Sequence, residues 1–234
     1  MNIIVTGASR GIGLAILEKY ARAGWNLAFC SKNPESVAKA KEKLQSINSS
    51  IKIYAEAFDI ADKLLVMNFA SNCIKEFGKI DILVNNAGLF KQGGLSDSAF
   101  DDDLEYLMQV NVYSAYWMGK VVIPAMKELG AGHIINISSI AGLRDYDKGG
   151  GYTVAKFALT GYTKQLRNEL KSKNVRITGI YPGAVLTDSW AGVDLPPSRF
   201  IQPRDIAELV YTTAQLSPSA CVEDIILRPQ EGDI

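Results

Sequence analysis

Thr6-Gly7-Ala8-Ser9-Arg10-Gly11-Ile12-Gly13 follows directly on the apolar run Ile3-Ile4-Val5, and its glycines decide how the chain begins to fold. A strand ending at Gly7 can turn sharply, Gly11 lets the backbone approach a ligand, and Gly13 lets the helix that follows lie against a sheet. The N-terminus of that helix offers unpaired N–H groups and roughly half a unit of positive charge. A pyrophosphate is the kind of group such a turn suits. The spacing is G-x-x-x-G-x-G, not the G-x-G-x-x-G of the commonest dinucleotide-binding turn. Alone, this stretch is equally a tight strand-to-helix connection.

The chain has 234 residues, of which 47% are hydrophobic and 21% charged. One domain spanning 1–234 is expected, because single α/β domains routinely reach about 250 residues. Lysine plus arginine equals aspartate plus glutamate at 25 each, and no basic stretch points to nucleic acid. No run approaches the roughly 18 apolar residues of a membrane span, and a strand starting at Asn2 leaves no room for a signal peptide. A cytoplasmic protein without a membrane partner is expected. Cys30, Cys73 and Cys221 are odd in number and lack C-x-x-C spacing, so they read as reduced, buried thiols. His133 is the single histidine, which argues against a histidine triad or a multi-histidine metal site. It reads as a strand-edge residue without a catalytic role, and no metal is expected.

Short β-rich runs alternate with longer helical patterns along the whole chain, the pattern of a parallel sheet covered on both faces. Seven strands are expected at Asn2–Thr6, Asn26–Cys30, Ile51–Ala57, Ile80–Asn85, His133–Ser138, Arg176–Tyr181 and Asp224–Leu227. Helices are expected over about 11–23, 34–46, 63–77, 102–129, 152–173 and 204–216, giving a three-layer, doubly wound α/β fold. The irregular stretch at about 183–202, with Pro196-Pro197, follows a strand's carboxyl end. Ligands bind at that edge of an open α/β sheet, so the stretch reads as a substrate loop.

Tyr152 and Lys156 are spaced i, i+4 at the start of a helix and so share one face. The strand before that helix delivers Ser139 to the same sheet edge as the glycine turn. With these in place, the chain resembles the short-chain dehydrogenase/reductase family in its compact one-domain Rossmann branch. Its motif layout is most similar to 3-oxoacyl-carrier-protein reductases. The resemblance runs essentially end to end, through the glycine turn, Asp59, Asn85-Asn86-Ala87-Gly88, Asn111, Ser139, Tyr152-x-x-x-Lys156 and Pro182-Gly183.

The resemblance implies an oxidoreductase moving a hydride between a nicotinamide and a carbonyl or alcohol. Tyr152 would be the general acid in reduction and the general base in oxidation, with Ser139, rather than its neighbour Ser138, bonding the substrate oxygen. Lys156 would hold the nicotinamide ribose, and Asn111 would hold a water that relays protons to Lys156. Asp59 would reach the adenine beside the backbone of Ile60, and Asn86, Ala87 and Gly88 would line the cofactor. Asn85 and Asn86 equally suit a structural role at a strand end. Pro182 and Gly183 would turn under the nicotinamide, next to Val185, and Thr187 would meet its carboxamide. A catalytically silent NADP(H)-binding sensor on the same fold is the alternative, which the complete Asn111, Ser139, Tyr152 and Lys156 set argues against.

Charge bears on the details. A free tyrosine titrates near pH 10, too high for ready proton exchange at neutral pH. An ammonium at ~4 Å in an effective dielectric of ~20 is worth about 4 kcal/mol, so Lys156, aided by an oxidised nicotinamide, is expected to lower the tyrosine's pKa. Ser31-Lys32 stands just past the second strand, where an acidic residue would favour NAD. Arg10 brings a second cation, and Ser9 and Gly11 to Gly13 complete the turn, so NADP(H) is the expected cofactor with NAD(H) second. Leu89–Gly94, Arg144–Asp147 and Val185–Pro197 read as substrate walls, with Phe90, Tyr146 and Trp190 as their aromatic surface and Lys148 on the rim. Tyr113, Tyr116, Trp117, Phe157 and Tyr162 exceed what one helix face needs and suggest a homo-oligomer, a dimer or tetramer. Packing against the chain's own sheet is the other reading. The tail from Arg228 to Ile234 either joins a second interface or borders the site.

Overall fold

Ile3 and Val5 point to one side of the first strand and Ile4 to the other, and all three are fully buried. A strand buried on both faces needs a covered sheet. The computed structural model describes residues 1–96, 101–147, 149–190 and 192–234, and for 101–103 the backbone only. Lys148, on the expected rim, and Ala191, in the expected substrate loop, lie outside the described residues. The strands are β1 (Asn2–Thr6), β2 (Asn26–Ser31), β3 (Ile53–Ala57), β4 (Ile82–Asn85), β5 (Gly132–Ile137), β6 (Val175–Pro182) and β7 (Asp224–Leu227). They form one parallel sheet in the order β3-β2-β1-β4-β5-β6-β7. The order reverses between β1 and β4, and a crevice opens there at the carboxyl edge.

One face carries α1 (Gly11–Arg22), α2 (Pro34–Ile47) and α7 (Pro203–Gln215), whose Leu17, Leu44 and Val210 pack with Ile3, Val5 and Phe29. The other carries α3 (Lys63–Phe77), α5 (Ser114–Leu129) and α6 (Gly150–Leu170), whose Phe69, Val122 and Leu166 pack with Ile4, Leu83 and Ile134. Asn33 caps α2 by accepting from the Ser36 N–H, and Asp62 caps α3 by accepting from Leu64 and Leu65. By contrast, α1 has Arg10 at its cap position, no side-chain cap and no acidic residue in its first turn. Its N-terminal amides remain available to an anion.

The helix expected over 102–129 is two helices, α4 (Asp101–Met108) and α5, joined by a π-helical segment at Gln109–Tyr113. Asn111 is the cause visible in the bonding. Its Nδ2 donates to Leu107 O and Leu89 O, both at 3.0 Å, and its Oδ1 accepts from Leu89 N at 3.2 Å. A side chain that bonds the carbonyl four residues back competes with the α-helical ladder and favours the wider turn.

Other expectations shift. Ile51 and Ile80 are buried but precede their strands, since both pack into the core before ladder pairing begins. His133 is 2% exposed in a strand flanked on both sides, so it is interior rather than at an edge. Its Nε2 pairs with Thr178 Oγ1 at 2.8 Å, and burial pushes its pKa down to about 3, leaving it neutral. Cys30 and Cys73 are buried, but Cys221 is exposed. Trp117 and Tyr162 pack against the chain's own core, while Tyr113, Tyr116 and Phe157 stay exposed. Among the described residues no helix is long and apolar enough to cross a membrane.

Leu17 has no solvent exposure. Leu17→Ala is expected to lower the unfolding free energy by about 2–5 kcal/mol, read as a reduced urea midpoint at unchanged m-value. A loss below about 1 kcal/mol would contradict this packing of α1.

Candidate active site

Two adjoining cavities occupy the crevice at the carboxyl edge. The first, about 340 Å³, is lined by Gly7, Arg10, Gly11, Ile12, Ser31, Lys32, Asp59, Ile60, Asn86, Ala87, Gly88 and Thr187, among others. The second, about 520 Å³, is lined by Ser139, Tyr152, Lys156, Pro182, Gly183 and Val185, and again by Ile12, Asn86, Gly88 and Thr187. Shared walls make them one elongated cleft. Of the residues singled out in the sequence, Ser9, Gly13 and Asn111 stand just behind its walls. Ser9 Oγ donates to Ser31 Oγ at 2.8 Å. A Cβ on Gly13 would lie 2.6 Å from Asn86 Nδ2 and 2.7 Å from Ala8 Cα, so glycine there permits the close fit of α1.

The cleft's floor is stitched together by side chains. Asn86 Nδ2 donates to Thr6 O at 2.9 Å and to Gly7 O at 3.1 Å. Thr6 Oγ1 accepts from the N–H groups of both Asn86 and Ala87 at 3.0 Å. Gly7 has φ +62, and a Cβ there would meet Ala87 Cα at 2.8 Å. Only glycine combines that left-handed backbone with that approach. Asn85 Nδ2 donates to Asn136 Oδ1 at 2.8 Å, deep in the sheet. Structural bonding is therefore evident for both asparagines, and Asn86 also faces the cleft.

At the 340 Å³ end, the expected cations have protein partners. Arg10 Nη1 lies 2.8 Å from Asp188 Oδ2, which ties the glycine turn to the substrate loop. Lys32 Nζ lies 2.6 Å from Asp59 Oδ2, and Tyr106 bonds both partners. The hydrogen bond to Asp59 pushes Lys32 up to about 12, fixing its positive charge. The Arg10–Asp188 pair is exposed on both sides and the Lys32–Asp59 pair on its lysine side, so solvent screens them. Neither Asp188 nor Tyr106 carries a sequence signal of this role, since each partner is remote along the chain.

At the other end, Ser139 stands where β5 leaves the sheet, and its Oγ accepts from Ala141 N at 3.2 Å. Ser138 is turned inward instead, towards Lys156 O and Thr160. The first turns of α6 place Tyr152 against the cavity and Lys156 beneath it. Lys156 is 3% exposed, its Nζ donates to Ile137 O at 3.2 Å, and a Cβ on Gly88 would lie 3.3 Å from that nitrogen. Burial pulls the Lys156 pKa down to about 8. Burial pushes Tyr152 up to about 12, against a hydrogen bond from Ser139. The expected lowering of Tyr152 by Lys156 is thus not realised in the protein's own field. The ammonium lies 5.5 Å from the centre of the tyrosine ring, and desolvation outweighs it. At neutral pH Tyr152 keeps its proton.

The aromatic walls assemble as expected. Phe90 packs edge-on to Tyr152 at 5.1 Å and to Tyr146 at 6.2 Å, and Trp190 packs on Phe200 at 5.4 Å. Phe90, Tyr146 and Trp190 all line the larger cavity, joined by Asp233 and Ile234 of the C-terminal tail. The tail therefore borders the site. An uncapped helix, a glycine cradle a Cβ would fill, and a cleft running on to a half-buried Tyr152 beside the buried Lys156 make a fitting holder for a dinucleotide.

Comparison with known proteins agrees with this geometry. Residues 1–196 match the family model described as short chain dehydrogenase. The chain is 34% identical over 242 residues to a sepiapterin reductase of Chlorobaculum tepidum, covering 99% of this chain and 97% of that one. It is 34% identical over 190 residues to a 3-oxoacyl-[acyl-carrier-protein] reductase of Chlamydia muridarum, covering 81% and 76%. A metagenomic short-chain oxidoreductase solved in complex with NADP superposes with a TM-score of 0.86 at 28% identity, covering 98% and 97%. By its sequence, sheet order and cleft, the chain belongs to the short-chain dehydrogenase/reductase family of oxidoreductases.

Proposed function

We propose that the protein is an NADPH-dependent oxidoreductase interconverting a carbonyl compound and its alcohol, the whole of 1–234 acting as one dinucleotide-binding unit. The observation that carries this reading is the buried Lys156 beside Tyr152 and Ser139 at one end of a cleft whose other end is a glycine cradle. Hydride transfer is the chemistry that a bound nicotinamide supplies.

The chain's own residues do the rest. The glycine turn and the uncapped N-terminus of α1 receive the pyrophosphate. Ser31, Lys32 and Arg10 receive a 2′-phosphate, whose charge outcompetes the carboxylates now paired with both cations. Asp59 and Ile60 border the adenine, Ala87 and Gly88 the ribose, and Val185 and Thr187 the nicotinamide. The relative solved with NADP supports the choice of cofactor. Ser139 donates to the carbonyl oxygen and holds it against Tyr152, which gives that oxygen its proton. The phenol carries its proton at neutral pH, as the acid in reduction must, and its raised pKa makes the nearby Lys156 charge necessary to the step. Lys156 has three donors. One is taken by Ile137 O, and a ribose hydroxyl is the partner proposed for another, while its charge stabilises the tyrosinate left behind. Asn111 holds Leu89 in place and borders the route along which Lys156 is resupplied with protons. Phe90, Tyr146 and Trp190 suit a modest, partly apolar substrate. Tyr113, Tyr116 and Phe157 form an exposed aromatic face suited to joining copies of the chain.

Tyr152→Phe is expected to lower kcat by roughly 10²–10⁴-fold with the NADPH dissociation constant unchanged. Near-normal turnover would remove Tyr152 from the chemistry. Ser31→Asp is expected to move the ratio of kcat/KM values at least about tenfold towards NADH, and an unchanged ratio would take Ser31 out of the phosphate site. Lys156 carries its charge below about pH 8 and loses it above. NADPH binding should therefore weaken as pH rises through that value, by up to about tenfold per unit. Fluorescence titration should show the dependence, and Lys156→Met should flatten it.

A further inference from the structure

Beyond β7 the chain turns at Pro229–Gly232 and returns over the end of β6. There Asp233 meets arginines from three separate segments. Arg228 grips its carboxylate with both arms of the guanidinium, Nε to Oδ1 at 3.0 Å and Nη2 to Oδ2 at 2.8 Å. Arg144, from the loop after β5, pairs with the same Oδ2. Arg199, in the substrate loop, reaches the carbonyls of Gly232 and Asp233 at 3.4 Å. The return is tight: a Cβ on Gly183 would lie 3.1 Å from Asp233 Oδ1 and 3.0 Å from Pro229 Cδ.

The placement relative to the cavity matters. Asp233 and Ile234 line the cavity that holds Ser139 and Tyr152, whereas Arg144 and Arg228 do not. The carboxylate stands between two guanidinium groups and the space where a substrate would sit. A forked arginine pair is a strong carboxylate site, and here the chain's own carboxylate fills it.

We propose that Asp233 is a specificity-determining residue: by occupying a two-arginine anion site at the outer end of the substrate cavity, it makes the cavity select neutral carbonyl compounds over carboxylate-bearing ones. This rests on reading that cavity as the site of carbonyl reduction. Removing the carboxylate exposes Arg144 and Arg228 to the cavity and converts its outer end into a receptor for a keto acid.

The test compares benzoylformate with its neutral ethyl ester, by calorimetric binding to the NADP⁺-saturated protein and by kcat/KM with NADPH. The wild type should favour the ester. Asp233→Ala should raise the benzoylformate-to-ester ratio at least about tenfold in both readouts. Adding Arg144→Ala should cancel the gain. Asp233→Asn, which keeps the shape of the side chain, should shift both readouts in the same direction. An unchanged benzoylformate-to-ester ratio in both single variants, or a gain that survives Arg144→Ala, would overturn the proposal. Absence of ester turnover in the wild type would instead count against carbonyl reduction, while the calorimetric comparison still decides the role of Asp233.

Discussion

Four hydrogen bonds between Thr6-Gly7 and Asn86-Ala87 hold the two sides of the crevice at the point where the strand order reverses. Everything functional is built outward from that stitch. It fixes the glycine turn against the loop after β4, and that loop continues to Leu89, which Asn111 grips from the π-helical segment. Buried amides and hydroxyls with their partners satisfied are rigid, because each lost bond would leave a costly orphan.

The second constraint is electrostatic. A lysine with its ammonium under the sheet edge and a tyrosine pressed against an apolar wall are both displaced towards their neutral forms by desolvation. Burying two ionisable groups side by side is unfavourable for folding alone, and such clusters mark functional sites. The adjacent pairs, Arg10 with Asp188 and Lys32 with Asp59, are screened by solvent and readily exchanged for a ligand's charges. The site thus combines a rigid, dry end with an adaptable, wet one.

Much of this was legible in the sequence. Alternating β-rich runs and helical patterns placed every strand and most helix ends, because local periodicity is determined by nearby residues. The break at Gln109–Tyr113 was not legible, since Asn111 bonds Leu107 O from a side chain that Leu89, a residue in another segment, holds in place. Trp117 and Tyr162 read as surplus surface aromatics, yet they are absorbed by the core, because periodicity does not reveal how wide a buried stripe will be. Asp188 opposite Arg10, Tyr106 beside Lys32, and Asp233 among its arginines are long-range meetings that only the fold creates. Lys156 by itself does not lower Tyr152, for a related reason. Sequence spacing gives proximity but not desolvation.

The central claim is that this cleft holds NADPH and uses Tyr152 and Ser139 to reduce a carbonyl. A single-turnover experiment tests it most directly: enzyme in excess over bound NADPH is mixed with a neutral aryl keto ester, and loss of the reduced cofactor is followed beside alcohol formation. All the bound NADPH should be consumed, with an equal amount of alcohol formed. Bound NADPH left unconsumed by this ester and by a panel of acyl, steroid, quinone and sugar carbonyls, or no NADPH binding at all, would contradict it.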